Sequence, residues 1–181
     1  MSDWQTSGSR VVYENRWITV REDDVVRPDG GAGIYGVVQV RHPAVFVVPV
    51  TDAGEVVLIR MYRYTTGRES IEIPAGGTDG EEPLVAARRE LREETGLAAD
   101  MWRDLGEVWS LDGVADAPGR IYLATGLRPS DVAAETEEEG ITEILTVPWA
   151  GVMSMVASGE ISDGETMAAL LRAAIALGEL G

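Results

Sequence analysis

Glu90, Glu93 and Glu94 lie in the stretch Arg89-Glu90-Leu91-Arg92-Glu93-Glu94-Thr95-Gly96-Leu97. On a helix their carboxylates fall within about a 100° arc of one face. Like charges at this spacing repel, and no lysine is present to offset them. A bound divalent cation would reverse the sign of that interaction. Carboxylate oxygens suit a hard ion such as Mg²⁺ or Mn²⁺, which keeps several waters and shares its remaining positions with substrate phosphates. Cysteine is absent and histidine occurs once, at His42, so neither a zinc cluster nor a His-rich catalytic centre can be assembled. His42, next to Pro43, reads as structural. Eight residues before Arg89, Glu81 sits in the glycine-rich segment PAGGTDGEE. The chemistry to which these residues point is metal-assisted work on a diphosphate.

The rest of the composition narrows the field. The chain has 31 acidic residues against 15 basic ones, a formal charge of −16, and every base is arginine. This excludes a Schiff-base lysine and a Walker-type phosphate lysine. The acidic balance also provides no electrostatic footprint for nucleic acid or an anionic membrane. An anionic substrate would have to be met by metal ions, a few arginines and backbone N–H groups. At 181 residues and 45% hydrophobic, the chain can bury a core in one domain with a small appended subdomain. No apolar run reaches the length of a membrane span, and the first residues lack the order of a signal peptide, so a cytoplasmic protein is expected.

The elements that must position the glutamates can be read from periodicity. Residues 11–24 and 34–40 read as strands separated by the turn-forming RPDGGAG, giving a small N-terminal sheet. The runs AVFVVPV (44–50) and EVVLIRMYRY (55–64), joined by TDAG, are apolar enough for strands buried on both faces. After a short strand at 70–73, a loop from Pro74 to Glu82 enters a helix with Pro83 at its first position and acidic residues favouring its dipole. Leu84, Ala87 and Leu91 form its buried stripe, the glutamates border the core without facing it, and Gly96 ends it. RDLGEVWSL, GRIYLATGL and ITEILTVPW read as further strands, with helices at 150–157 and 166–177. This irregular mixture favours an α+β or layered α/β/α domain.

Glu81, seven residues, then RELREETGL resembles the Nudix hydrolase box, agreeing at eight specified positions. One position departs: Ala75 stands where the pattern has glycine, as if the loop were one residue short with Gly76 in that role. IEIPAG, IRMYRY, LDGVADAPGRIYLA and the acidic segment before ITEILTVPW extend the likeness to the ADP-ribose pyrophosphatase branch. The resemblance implies a Nudix-type α/β/α sandwich with a mixed sheet, residues 43–181, and an N-terminal antiparallel strand subdomain, residues 1–42, that helps form a homodimer. It further implies Mg²⁺- or Mn²⁺-dependent hydrolysis of a nucleoside diphosphate sugar, with ADP-ribose giving AMP and ribose 5-phosphate.

Residue by residue, the resemblance assigns Glu90, Glu94 and the carbonyl of Ala75 as metal ligands, with Glu93 supporting them. Arg89 and Glu81 correspond to the ion pair that orients those carboxylates. In the run Glu135–Glu139 it assigns Glu137 as base and Glu139 as ligand, against the plainer reading of a solvated charge run. Arg63 matches a phosphate-binding arginine, with a surface salt bridge as the alternative. Gly77 would let main chain approach the ligand. Trp17 matches an aromatic that stacks on the partner's adenine, with ordinary packing as the alternative. Asp116-Ala117 stands where the branch often has Asp-Glu, which removes a substrate-contacting carboxylate. The competing functions are hydrolysis of GDP-mannose or another nucleoside diphosphate derivative, and a catalytically silent Nudix-fold nucleotide sensor. The intact pair of glutamates argues against the sensor.

Overall fold

The computed structural model describes residues 3–179, which form two units. The first comprises the residues up to Pro43 together with Trp109–Pro118. Its sheet has the order β1-β2-β3-β9, with β1 Gln5–Glu14, β2 Ile18–Val26, β3 Ala32–Val40 and β9 Ala115–Asp116. The single strand expected over 11–24 is two strands. Asn15 breaks it, because its Oδ1 accepts the N–H groups of Trp17 at 2.8 Å and Ile18 at 2.9 Å, an Asx turn that reverses the chain. The turn expected at RPDGGAG is present: Asp29 Oδ1 accepts the Gly31 N–H at 2.9 Å, and Gly30 takes a φ of 85° that an L side chain rarely adopts.

The second unit, Ala44–Val108 with the residues from Gly119 onward, holds two sheets. One has the order β7-β4-β10-β8, where β4 is Ala44–Pro49, β7 Ala75–Gly77, β8 Leu97–Trp109 and β10 Pro118–Pro129. The other is β11-β5-β6, with β5 Glu55–Arg63, β6 Arg68–Glu72 and β11 Ile141–Pro148. β4 runs parallel to β10 and antiparallel to β7, so the sheet is mixed. The alternation of β4 explains its continuous apolar sequence. Val45 and Val47 pack on one face with Ala86, Ala87 and Leu91 of helix α1, Pro83–Thr95. Phe46 and Val48 join the main core on the other face, with Leu58, Ile73, Trp149, Val152 and Leu170. Helices α3, Trp149–Ser158, and α4, Gly164–Leu177, supply Trp149, Val152 and Leu170, whereas Leu58 lies in β5 and Ile73 directly follows β6. The result is a mixed α+β unit, the class read from the sequence. Among the described residues no helix is long and apolar enough to cross a membrane.

Several local expectations are corrected. The first turn of α1 contains no acidic residue, and Glu82 at its N-cap makes no side-chain capping bond, so the helix starts on Pro83 without the acidic support expected. The loop Pro74–Glu82 contains β7, and the strand expected from Arg103 begins at Leu97, directly after Gly96. Gly96 closes α1 in the left-handed region with φ 68°, its N–H donating to Arg92 O. The acidic segment 135–139 contains a one-turn helix, α2, Thr136–Glu139.

Candidate active site at the start and face of helix α1

Helix α1 is held to β4 by Ala86, Ala87 and Leu91, all fully buried. Burying a side chain such as Leu91 is worth about 2–3 kcal/mol, so the helix face is fixed. Glu90 and Glu94 flank this stripe and are themselves buried, at 6% and 2% exposure, rather than bordering the core from outside as the sequence suggested. Glu94 Oε2 accepts the Ala75 N–H at 2.9 Å. Burial, above all, pushes its carboxyl up to about 8 from an ordinary 4.5; the Ala75 N–H opposes this, and the nearby charges of Glu90 and Glu139 add to it. Glu90 is raised for the same leading reason, with Arg89 opposing and Glu93 and Glu139 adding.

Helical spacing offered no lysine to offset the three carboxylates, and only the family resemblance set Arg89 beside them. The structure supplies arginine instead. Arg89 Nε donates to Glu81 Oε2 at 2.9 Å, Nη1 to Glu90 Oε1 at 2.7 Å and Glu93 Oε2 at 3.1 Å, and Nη2 to the Gly77 carbonyl at 2.8 Å. One guanidinium therefore ties the glycine-rich loop to two turns of the helix. Although burial disfavours its charge, these carboxylates hold its pKa above the ordinary value. Glu93 gives its other oxygen to Arg92 Nη2. The Gly77 carbonyl is thus spent on Arg89, and the glycine that the packing requires is Gly76: a Cβ there would stand 2.2 Å from Glu90 Oε1, whereas at Gly77 it would meet only Asp79 Oδ1 at 3.5 Å.

Glu139 lies close enough to act on the charges of both Glu90 and Glu94. Its segment is anchored by the Glu135 N–H, which donates to Glu93 O at 2.7 Å. Glu137 is exposed, with no side-chain partner among the described residues. Arg63 also acts on Glu94, but its guanidinium is committed to buried Glu72 through Nε at 3.0 Å and through Nη2. That hydrogen bond keeps the Arg63 cation favoured against the opposing effect of burial. Arg63 therefore makes the salt bridge named as the plainer alternative, its Nη1 makes no hydrogen bond among the described residues, and the residue lines a cavity of about 410 Å³ that Ala75 also borders. Trp17 belongs to the N-terminal unit, where it is 60% exposed under the guanidinium of Arg16 at 4.0 Å. Asp116 accepts from Gln39 Nε2 at 3.1 Å within that unit.

The residues brought together are thus Glu81, Arg89, Glu90, Glu93 and Glu94 with the loop Ala75–Gly77, and Glu139 nearby. Sequence reading missed Glu72 and Arg92. Glu72 could have been found as the charged residue between the apolar Ile71 and Ile73 at the buried end of β6. Arg92 gave no signal, since its value lies in reaching the adjacent Glu93. Among the described residues no three Asp, Glu or His side chains already form a metal cage. The donor set nevertheless fits a hard divalent ion. Glu90 and Glu94 each have one oxygen committed and one left over, and buried carboxylates held up in pKa are the groups that a cation would restore to the charged form.

Comparison with known proteins places this geometry. Residues 40–142 match the NUDIX domain, and residues 4–38 match the nucleoside diphosphate sugar hydrolase N-terminal domain. An ADP-ribose pyrophosphatase of Mycobacterium tuberculosis is 36% identical over 171 residues, covering 93% of this chain and 82% of the relative. One of Bacillus subtilis is 32% identical over 168 residues, covering 92% and 90%. A crystal structure of an ADP compounds hydrolase shares the fold, with a TM-score of 0.85 at 24% identity, covering 98% of this chain and 96% of that one. Nudix hydrolases typically use a divalent metal. With its glutamate helix, its loop and its N-terminal sheet matched along most of its length, the chain belongs to the Nudix hydrolase family as a nucleoside diphosphate sugar pyrophosphatase.

Proposed function

We propose that the protein hydrolyses the diphosphate bond of ADP-ribose to AMP and ribose 5-phosphate, with Mg²⁺ or Mn²⁺. The observation that carries this reading is the buried pair Glu90 and Glu94, pinned by Arg89 and the Ala75 N–H with one oxygen of each left over. The names borne by the Mycobacterium tuberculosis and Bacillus subtilis relatives support the choice of ADP-ribose. Glu90, Glu94, Glu139 and the carbonyl of Ala75 would hold the metal. When bound, the metal neutralises diphosphate charge and lowers the pKa of water.

The chain's own residues do the rest. Arg89 and Glu81 fix the helix carboxylates against the loop, and Glu93, taken on both oxygens by Arg89 and Arg92, sets the charge behind them. Glu137 takes the proton from the attacking water, its exposure on α2 leaving the carboxylate free to do so. Arg63, held by Glu72, offers Nη1 to a phosphate oxygen, and the main chain at Gly77 lies alongside. The N-terminal unit joins two copies through an apolar surface on which Val11 is 58% exposed and Ile34 68%, and Trp17 stacks on the partner's adenine. A panel of nucleoside diphosphate sugars with Mg²⁺ or Mn²⁺, products identified by mass, tests the substrate. Faster turnover of GDP-mannose than of ADP-ribose would reassign it. Nucleotide binding without hydrolysis of any member would point to a sensor.

A further inference from the structure

The cavity bordered by Ala75 and Arg63 carries a second arginine, Arg68. Arg63 and Arg68 close the β5–β6 hairpin as direct partners across its antiparallel ladder. Like charges directly opposite one another destabilise such a ladder. Arg63 is answered by Glu72, but Arg68 has no carboxylate within ion-pair reach among the described residues. Among the described residues its side chain makes one hydrogen bond, from Nη2 to Ser162 Oγ at 3.3 Å. Arg68 is exposed where it lines the cavity, so an anion from solvent can reach its guanidinium beside that of Arg63. The acids lining the same cavity do not serve it: Glu72 is taken by Arg63, and Asp163 caps α4 by accepting the Thr166 N–H at 2.7 Å. Glu165, in the first turn of α4, makes no bond to it.

We propose that Arg68 is a substrate-binding residue, forming with Arg63 a two-guanidinium clamp for phosphate oxygens of the substrate's diphosphate. Planar guanidinium forks suit phosphate oxygens, and an anion between the two removes the repulsion across the hairpin. The inference rests on the reading of the site as a diphosphate hydrolase, and its test separates the two. Arg68→Gln, Arg68→Lys and, as a control of equal charge change on β5, Arg60→Gln are compared with the wild type. Arg60 pairs with Glu143 and lies outside the cavity. Calorimetric titration with inorganic diphosphate at fixed Mg²⁺ measures binding without turnover, and steady-state kinetics on the best nucleoside diphosphate sugar separates KM from kcat.

Arg68→Gln is expected to weaken diphosphate binding and raise KM on the order of tenfold or more, with kcat changed far less; Arg68→Lys falls between, and Arg60→Gln matches the wild type. A merely structural tie to Ser162 would lower the melting temperature and leave diphosphate affinity and KM alone, which would overturn the proposal. So would a wild type that binds no diphosphate, or an Arg60→Gln effect as large as that of Arg68→Gln. If the wild type hydrolyses no member of the panel, the hydrolase reading fails and the titration alone decides: binding lost in Arg68→Gln supports the clamp, and equal binding refutes it.

Discussion

Gly76→Ala isolates the contact between the glycine-rich loop and the helix. The added Cβ would lie 2.2 Å from Glu90 Oε1 and 2.3 Å from its Cδ, where ordinary contact begins at 3.4 Å. The carboxylate must therefore withdraw by about 1 Å, a shift that a flexible side-chain end can make at a cost of about 1–2 kcal/mol. For a chain of this length that lowers the melting temperature by roughly 2–8 °C. The functional cost should be much larger, because Glu90 is buried and tied to Arg89, and a displacement of about 1 Å at a reacting centre can cost on the order of a hundredfold in rate. Calorimetric Mg²⁺ titration, Mg²⁺-dependent turnover and a thermal melt of the same preparation separate the two effects. Gly77→Ala, whose Cβ meets only Asp79 Oδ1 at 3.5 Å, should keep wild-type metal affinity. A folded Gly76→Ala protein that binds Mg²⁺ and turns over like the wild type would refute the placement of Glu90 as a ligand.

Other expectations are more compact. Glu94 has a folded pKa of about 8, above its ordinary 4.5, so its contribution to metal-free stability is present in acid and lost as pH rises through about 8. Glu94→Gln should flatten that dependence and raise the metal-free melting temperature at pH 8 by a few degrees, about 1–2 kcal/mol; an unchanged pH profile would show the group already ionised. Arg89→Met leaves buried Glu90 without its cation and should cost about 2–4 kcal/mol in urea denaturation as well as metal affinity, whereas a loss confined to activity would mean that the fan of bonds around Arg89 does not hold the loop. Glu137→Gln should cut turnover on the order of a hundredfold or more at unchanged Mg²⁺ affinity. A larger effect from Glu138→Gln would move the base by one residue.

The face shared by Glu90, Glu93 and Glu94 could be counted from helical spacing, and the doubly buried β4 from its unbroken apolar run, because both are local periodicities. What lay beyond sequence was tertiary. Glu94 sits one turn from Leu91, so its burial depends on where β7 lays its Ala75 N–H. The split at Asn15 turned on a side chain competing for backbone N–H groups within an otherwise strand-like run. Arg63 resembled a free phosphate ligand until Glu72, nine residues on, was seen to claim most of its fork. The shortened loop around Ala75 was visible as a missing residue, but its consequence, the packing of Gly76 against Glu90, needed the helix and loop in place.

The central claim is that the carboxylates of α1 hold a divalent metal for cleavage of a diphosphate bond. The most direct measurement follows ADP-ribose with Mg²⁺ in ¹⁸O-labelled water, for the wild type and Glu94→Gln, with products resolved by mass. The account predicts AMP and ribose 5-phosphate from the wild type, one of them carrying a single ¹⁸O, none after chelation of the metal, and turnover lower by orders of magnitude in Glu94→Gln. Cleavage that survives chelation, or a Glu94→Gln protein as active as the wild type, would contradict it.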